Sequence, residues 1–389
     1  MKIALIDPSL FTWPYDNELA QGLRENGHEV VIYGKHLAEG EPGKGEPHYR
    51  EFFYPFMQRR AMQALPKPVF LALKGLMHPY FLTKLLKELR QWRPDVIHFQ
   101  WAPLPVIDRY FIPAFRRIAP VILTVHDSTP FNNNPRSRLQ RVGSIEIFKQ
   151  FDRLIVHTEQ AKGRLIAYGL PEARIARIPH GLLESGIPSL PPSAAAAAST
   201  DRPVTLLLFG KLKPYKGADI LIRALGAMQP QTRARCHVRI VGKSYMDVEP
   251  LRALAKEQGV ESNIAWDLRF VDHSEMADIF SQADVMVMPY REIDASGVLM
   301  AALAMGRPIV ASRIGLFSEL LEDGKHGYLV PCEDVQGLSV ALAKLVEDAK
   351  LRSTMGEEVR ALKESIPGWR VIAQMTEALY RETIKEARG

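Results

Sequence analysis

Short apolar runs of strand length alternate with helical patterns along almost all of this 389-residue chain, and no other feature restricts its fold as much. Strands are expected at 2–7, 28–33, 95–99, 121–125, 153–157 and 174–178, and again at 204–209, 236–241, 284–288 and 308–311. Alternation of this kind demands parallel sheets joined by right-handed crossovers. One stretch breaks the pattern. Residues 186–203, GIPSLPPSAAAAASTDRP, carry prolines, five consecutive alanines and small polar side chains, the composition of a linker. A chain this long exceeds the size at which one hydrophobic core keeps growing. We therefore expect two doubly wound α/β domains, 1–185 and 204–366, and a terminal helix within 367–389 after the break at Pro367-Gly368. That helix either caps its own domain or crosses back to the first.

Composition removes several function classes. Apolar content of 47% and charged content of 24% belong to a globular protein. Two cysteines, Cys236 and Cys332, exclude a disulfide framework and a cysteine-rich metal site. Both have apolar neighbours in sequence, so buried reduced thiols are expected. The histidines lack ligand spacing and no Asp-x-Asp tripeptide occurs, so no metal is expected. Met1–Ile6 reads as a strand broken by Asp7-Pro8 rather than an export signal, and no apolar run is long enough to span a bilayer, which points to the cytoplasm. A net charge of +6 suits phosphorylated substrates or an anionic membrane face. The basic, aromatic-rich modules of RNA readers are not evident, so nucleic acid is not expected. Residues 57–92 mix bulky apolar side chains with cations. They fit a helix lying on an anionic membrane, with Arg59-Arg60 at the contact, or a helix pair packed on the sheet; Leu82, Leu85, Leu86 and Leu89 favour packing.

The chemistry concentrates at predicted strand ends, where open α/β sheets bind ligands. Strand 205–209 ends at Gly210, Lys211 and Lys216 flank a turn on Pro214, and a helix starts at Ala218. Free N–H groups, the helix dipole and two ammonium groups favour a phosphate or diphosphate there, although surface lysines on an ordinary strand–turn–helix fit equally well. Gly242-Lys243-Ser244 looks like the end of a P-loop, but position 237 is His, so it is no Walker motif; Gly242 is kept as a donor-binding position. No G-x-G-x-x-G follows the first strand. A second cradle lies in 289–298, PYREIDASGV, where Ser296, Gly297 and Val298 open a helix and Glu292 and Asp294 are placed to accept hydrogen bonds from hydroxyls. In the first half, His126-Asp127 ends a strand and fits either a site or a hydrogen-bonded turn. Downstream, Arg136, Arg138 and Arg141 fit an acceptor phosphate or a solvated basic loop.

The layout resembles the retaining glycosyltransferases of family 4. The resemblance rests on Gly27-His28-Glu29-Val30, Pro94-Asp95-Val96-Ile97-His98, Thr124-Val125-His126-Asp127, Ile178-Pro179-His180-Gly181, the FGKLKPYKG turn, Ala283-Asp284-Val285, Gly306-Arg307-Pro308-Ile309-Val310-Ala311 and Gly327-Tyr328-Leu329-Val330. It implies the GT-B fold, two Rossmann-like domains facing each other across a cleft, with the Trp369 helix crossing back. It implies that Lys211 and Lys216 hold the donor diphosphate, that Gly297 and Val298 offer amides to the distal phosphate, that Arg269, Phe270 and Val271 form the loop reading the base, and that His126 lies beside the transferred sugar. Family members carry two glutamates eight positions apart. Here the second falls on Ala301, and the first on Ile293, between Glu292 and Asp294. Glu292 is the expected sugar-side carboxylate, with Asp294 in reserve. In place of the family's first-loop glycine pair stands SLFTWPYDN, where Asn17 is the expected substitute.

The expected reaction moves a sugar from a UDP- or GDP-linked donor to a glycan or lipid-linked glycan hydroxyl, with retention and without a cofactor. A sugar-nucleotide epimerase of the same fold, or a two-domain binding protein without activity, are the alternatives.

Overall fold

The computed structural model describes residues 1–41, 43–58, 62, 64–129, 143–183 and 202–388. The chain forms two compact units, Met1–Gly181 with Pro367–Gly389, and Leu182–Ile366. The expected linker, Arg59, Arg60, Arg136, Arg138 and Arg141 fall wholly or mostly outside the described residues.

The first unit holds a seven-stranded sheet: β1 (Lys2–Asp7), β2 (Glu29–Lys35), β3 (Tyr49–Phe53), β4 (Val96–Phe99), β5 (Val121–Thr124), β6 (Arg153–Val156) and β7 (Ile175–Arg177), in the order β3-β2-β1-β4-β5-β6-β7. Every neighbouring pair is parallel. The second unit holds β8 (Val204–Phe209), β9 (Cys236–Val241), β10 (Ile264–Asp267), β11 (Val285–Met288), β12 (Ile309–Ser312) and β13 (Gly327–Val330), again all parallel, in the order β10-β9-β8-β11-β12-β13. Central strands are buried on both faces, which is why they read as unbroken apolar runs: all six residues of β8 and all four of β4, β5 and β6 are buried.

Three strands, β3, β10 and β13, were not expected from the sequence. Each lies at a sheet edge, where one side needs no apolar partner, so charges enter the pattern in β3 (YREFF) and β10 (IAWD), and a glycine opens β13.

The helices that bear on function are α1 (Trp13–Glu25), α2 (Lys67–Trp92), α3 (Glu159–Ala167), α4 (Ala218–Ala227), α5 (Gly297–Ala304) and α6 (Trp369–Arg388). Helix α6 is part of the first unit's core. Its Ile372, Ala373, Leu379 and Tyr380 are buried with Ile3, Leu5 and Leu19, and the Tyr380 hydroxyl is 2.6 Å from His98 Nδ1. The approach to α1 is tight: a Cβ on Gly22 would stand 2.7 Å from the Trp369 carbonyl oxygen.

Within 57–92, Lys67–Trp92 form one long helix, α2, which passes through Pro79. Its second half packs Phe81, Leu82, Leu85, Leu86 and Leu89 into the core, whereas Val69, Leu71, Leu76 and Tyr80 in the first half are exposed. No helix among the described residues is long and apolar enough to cross a membrane. The expectation of two buried thiols holds for Cys236 only. Cys332 follows the end of β13 on an exposed turn, whose next residue, Glu333, has φ 62°.

Candidate functional site

In the second unit, the strand order reverses between β8 and β11: β9 and β10 lie on one side, β12 and β13 on the other. Ligands of open α/β sheets bind at such a switch, outside the carboxyl ends of the strands. The loops leaving β8 and β11 carry the residues singled out above.

After β8 the chain makes a 3-10 turn, Pro214–Lys216, and enters α4 through Gly217 at φ 68°. A Cβ at Gly217 would lie 1.9 Å from the Pro289 carbonyl oxygen, so only glycine lets this turn close against the β11 loop. Arg291 ties the two loops. Its backbone N–H donates to the Tyr215 carbonyl (2.8 Å), and its guanidinium donates to the Pro214 carbonyl (2.9 Å), to both oxygens of Asp219 (2.9 and 2.7 Å) and to Glu333 (2.7 Å).

The turn aims Lys216 inward, where only 4% of it is exposed. Nζ donates to the Phe209 carbonyl at 3.2 Å and to the Tyr290 hydroxyl, and sits 4.3 Å above the Tyr290 ring. It has no carboxylate partner among the described residues. Burial, reinforced by Lys213 and Lys211, pushes this ammonium down to about 7. A buried charge without a counter-charge is costly, and an arriving anion removes that cost. Lys211 is more open, and desolvation followed by Lys213 lowers its pKa as well.

Helix α5 begins beside this lysine. Ser296 is its N-cap, with Oγ accepting from the Leu299 N–H at 3.1 Å, while the N–H groups of Gly297 and Val298 have no acceptor within the helix. Gly210 joins the pieces: a Cβ there would meet Lys216 Nζ at 3.2 Å and Val298 Cγ2 at 3.3 Å. The strand end, the buried ammonium and the start of α5 therefore surround one small volume. Gly242 supports this arrangement from behind, since a Cβ on it would reach 2.2 Å from the Gly210 carbonyl oxygen.

The other donor candidates are more dispersed. Asp294 is buried and its carbonyl accepts from the Leu316 N–H at 3.0 Å; Glu292 is half-buried. Arg269 follows the edge strand β10, two strands from β8, and its guanidinium is held by Asp267 (3.1 Å) and Glu275 (2.7 Å). The Arg269 side chain is therefore engaged in ion pairs. Phe270 is 68% exposed, and Val271 packs on the core.

The first unit carries a second cluster at the carboxyl ends of its strands, and its chemistry is different. His126, just beyond β5, donates from Nε2 to Gln100 Oε1 at 3.0 Å and stacks on Trp101 (5.9 Å between centroids, 20°). That bond leaves Nδ1 as an acceptor. Tyr15, His157 and His180 complete an aromatic cluster around it, at 4.9 Å (Tyr15–His126), 5.4 Å (His126–His157) and 5.1 Å (His157–His180). Burial holds every one of these imidazoles below its ordinary range: His157 falls to about 4, His180 to about 3, and His126 well below 6.5, with the neighbouring imidazoles adding to its shift. These rings are neutral at physiological pH.

A cavity of about 50 Å³, lined by Gln100, Trp101, His126 and Asp127 among others, opens beside them. Gln100 Nε2 and Trp101 Nε1 are buried donors that no acceptor among the described residues satisfies. Asn17 does not stand in the first loop as expected. It lies within α1, and its Oδ1 accepts from His48 Nε2 at 2.9 Å. Tyr15, two residues earlier, takes the inward position.

Sequence reasoning passed over Tyr15, Gln100, Trp101, His157, Gly217, Tyr290 and Arg291. Tyr15, His180, Gly217, Tyr290 and Arg291 stand in the first loop, the IPHG motif, the FGKLKPYKG turn and the PYREIDASGV segment, where nothing local gives them a role; Gln100, Trp101 and His157 have no local signal.

Residues 17–182 match the family described as Glycosyltransferase Family 4, and residues 203–348 match that described as Glycosyl transferases group 1. The chain is similar to the D-inositol 3-phosphate glycosyltransferase of Kribbella flavida (28% identity over 302 residues, 74% of this chain and 71% of that protein). It is also similar to that of Pseudarthrobacter chlorophenolicus (27% over 397 residues, 96% and 91%). Among solved structures, it resembles sucrose-phosphate synthase from Thermosynechococcus elongatus (19% identity, TM-score 0.74, covering 99% of this chain and 100% of that one). HepE of Anabaena in complex with UDP is comparable (17%, TM-score 0.73, 98% and 100%). These likenesses show the GT-B fold.

Proposed function

The chain belongs to glycosyltransferase family 4, and from that premise we propose that it transfers a hexose, with retention and without a metal, from a nucleotide-diphosphate sugar to an acceptor hydroxyl. The observation that carries this reading is the buried ammonium of Lys216, set against Gly210 and the start of α5 with no carboxylate beside it. A leaving diphosphate gains negative charge as its bond to the sugar breaks. Lys216, Lys211 and the N–H groups of Gly297 and Val298 are the groups here that would stabilise that charge, in the role a metal ion plays elsewhere.

In the step we propose, the anomeric carbon loses its bond to the phosphate oxygen and gains one to the acceptor oxygen on the same face. The acceptor's hydroxyl proton passes to the departing phosphate. Nδ1 of His126 would accept a hydrogen bond from a sugar hydroxyl, and the neutral, ring-lined surroundings suit an uncharged hexose. Glu292, with Asp294 behind it, would bind sugar hydroxyls on the donor side, and the peptide groups of Arg269–Val271 would meet the base.

HepE, solved with UDP and with UDP-glucose, makes a UDP-linked donor the first to test and a GDP-linked one the second. For the acceptor we propose a glycan or lipid-linked glycan bound by the first unit, with Asp127 contributing. The exposed Val69, Leu71, Leu76 and Tyr80 of α2 support peripheral contact with an anionic membrane. The names of the curated relatives make an inositol phosphate the competing acceptor.

Calorimetry with UDP, GDP, ADP and their sugars tests the donor half: one nucleotide should bind, and Lys216→Ala should weaken it at least tenfold. No heat with any of them would end the reading. Incubating the cognate donor alone and with each acceptor separates transfer from epimerisation, and chelation of divalent ions should leave the rate unchanged.

A further inference from the structure

One cavity of the first unit lies away from the carboxyl ends of its strands. It has a volume of about 680 Å³ and lies at the opposite edge of the sheet. Its walls are the residues that lead into four adjacent strands: Pro94 and Asp95 before β4, Ala119 and Pro120 before β5, Asp152 and Arg153 at β6, and Arg174 before β7. The end of α6 closes one side.

Six cations line this cavity against three carboxylates. Half of the cations are accounted for. Arg116 pairs with Asp152 at 2.7 Å, Lys149 with Glu146 at 3.0 Å, and the buried Arg153 with Glu382 and Glu386. Asp95, the remaining wall carboxylate, accepts from the Lys2 backbone N–H. Arg117, Arg174 and Arg388 form no ion pair with any described residue. Arg174 donates only to the carbonyls of Lys149 and Phe151, and burial, then the nearby Arg116 charge, pushes its pKa below the usual guanidinium range. Arg117 and Arg388 have no carboxylate partner among the described residues, and Arg174 feels only Asp152, which is already paired with Arg116; around a space of small-ligand size, these three guanidinium groups lack a counter-charge of their own that a phosphoryl group would supply in the planar, forked geometry guanidinium prefers.

We propose that this cavity, at the N-terminal edge of β4–β7, is a binding site for a phosphate-bearing small molecule, separate from the donor and acceptor positions. A lipid phosphate carries the same chemistry. The cavity lies at the sheet edge opposite His126, and β5 and β6 separate those two regions along their length, so ligand at one does not occupy the other.

The test is a thermal-shift titration with inorganic phosphate in the Lys216→Ala background, where the donor cradle has lost its buried charge. A saturable rise in Tm of about 2–4 °C is expected. Adding Arg117→Glu should shift the phosphate concentration needed by about tenfold or more. Arg117 is exposed and unpaired, so this change leaves the fold intact, and the Tm without phosphate verifies that; Arg174→Gln serves as a second variant. Flotation with vesicles of equimolar phosphatidylcholine and phosphatidylglycerol forms the other arm. Retention that Arg117→Glu abolishes, without a response to free phosphate, would keep the site and assign it to a lipid headgroup. A phosphate response unchanged by both arginine variants, or no response in either arm, would overturn the proposal.

Discussion

The two units place their ligand-facing residues at the same position, the carboxyl ends of a parallel sheet, and equip it with opposite chemistry. Beyond β8 and β11 stand a buried ammonium, glycines and a helix start. Beyond β5 stand phenol, indole and imidazole rings, the imidazoles held neutral by burial. Under the proposed function, the first chemistry would meet an anion and the second hydroxyls. Topology therefore says where a ligand binds, and the side chains in the following turn say which kind.

The sharpest way to break this contrast is Gly217→Ala. The αL backbone alone costs about 1–3 kcal/mol with a side chain, and the overlap with the Pro289 carbonyl must also be relieved by moving the β11 loop. Donor binding should be lost, with a lower Tm, while Gly169→Ala, also at positive φ but with open space around its Cβ, should cost only the backbone part.

Lys216→Ala comes next. It should keep the fold and lower kcat/KM about ten- to a hundredfold or more, the effect of losing one charge-assisted hydrogen bond. A folded variant with full turnover would remove the lysine from the mechanism.

A pH titration sharpens the same point. Lys216 is charged below about 7 and neutral above it in the free protein, and a bound diphosphate raises its pKa again. Nucleotide affinity should therefore fall with rising pH above 7, by at most about tenfold per unit, and binding there should take up a proton. Calorimetry in buffers of different ionisation enthalpy reads that proton. Lys216→Ala should lose the uptake, whereas His126→Ala should retain it.

His126→Ala itself should leave nucleotide affinity unchanged and reduce kcat by about five- to tenfold, since only neutral hydrogen bonds are lost. A large drop in nucleotide affinity would mean that the two sites are not chemically distinct in the way described.

The smallest effect compares two caps. Thr158 caps α3 through the Ala161 N–H (3.0 Å), as Ser296 caps α5. Alanine at either position should cost about 1 kcal/mol of stability, and only Ser296→Ala should also raise the KM for the donor.

The sequence displayed most of the fold because central strands of a parallel sheet are short and mostly apolar. It hid the edge strands β3, β10 and β13, whose patterns admit charge or glycine. It displayed the anion cradle because Gly210, Lys211, Lys216, Ser296 and Gly297 belong to strand–turn–helix segments that are local in the chain. Tyr290 and Arg291 stayed hidden because what they do is reach across to another loop, to Lys216 and Asp219. Tyr15, Gln100 and His157 likewise come together only once β1, β4, β5 and β6 are assembled in one sheet. Asn17 was misplaced because the run SLFTWPYDN gives no sign of where the loop ends and α1 begins. Cys332 was misread because YLVPC is apolar up to the residue where the turn carries the thiol outward.

Helix α6 has a consequence for biogenesis. The first unit draws on segments from either side of the second, so on the ribosome its core waits without Ile372, Ala373 and Tyr380 while the whole second unit emerges. The contiguous second unit can finish first, and the unit begun before it is sealed after it.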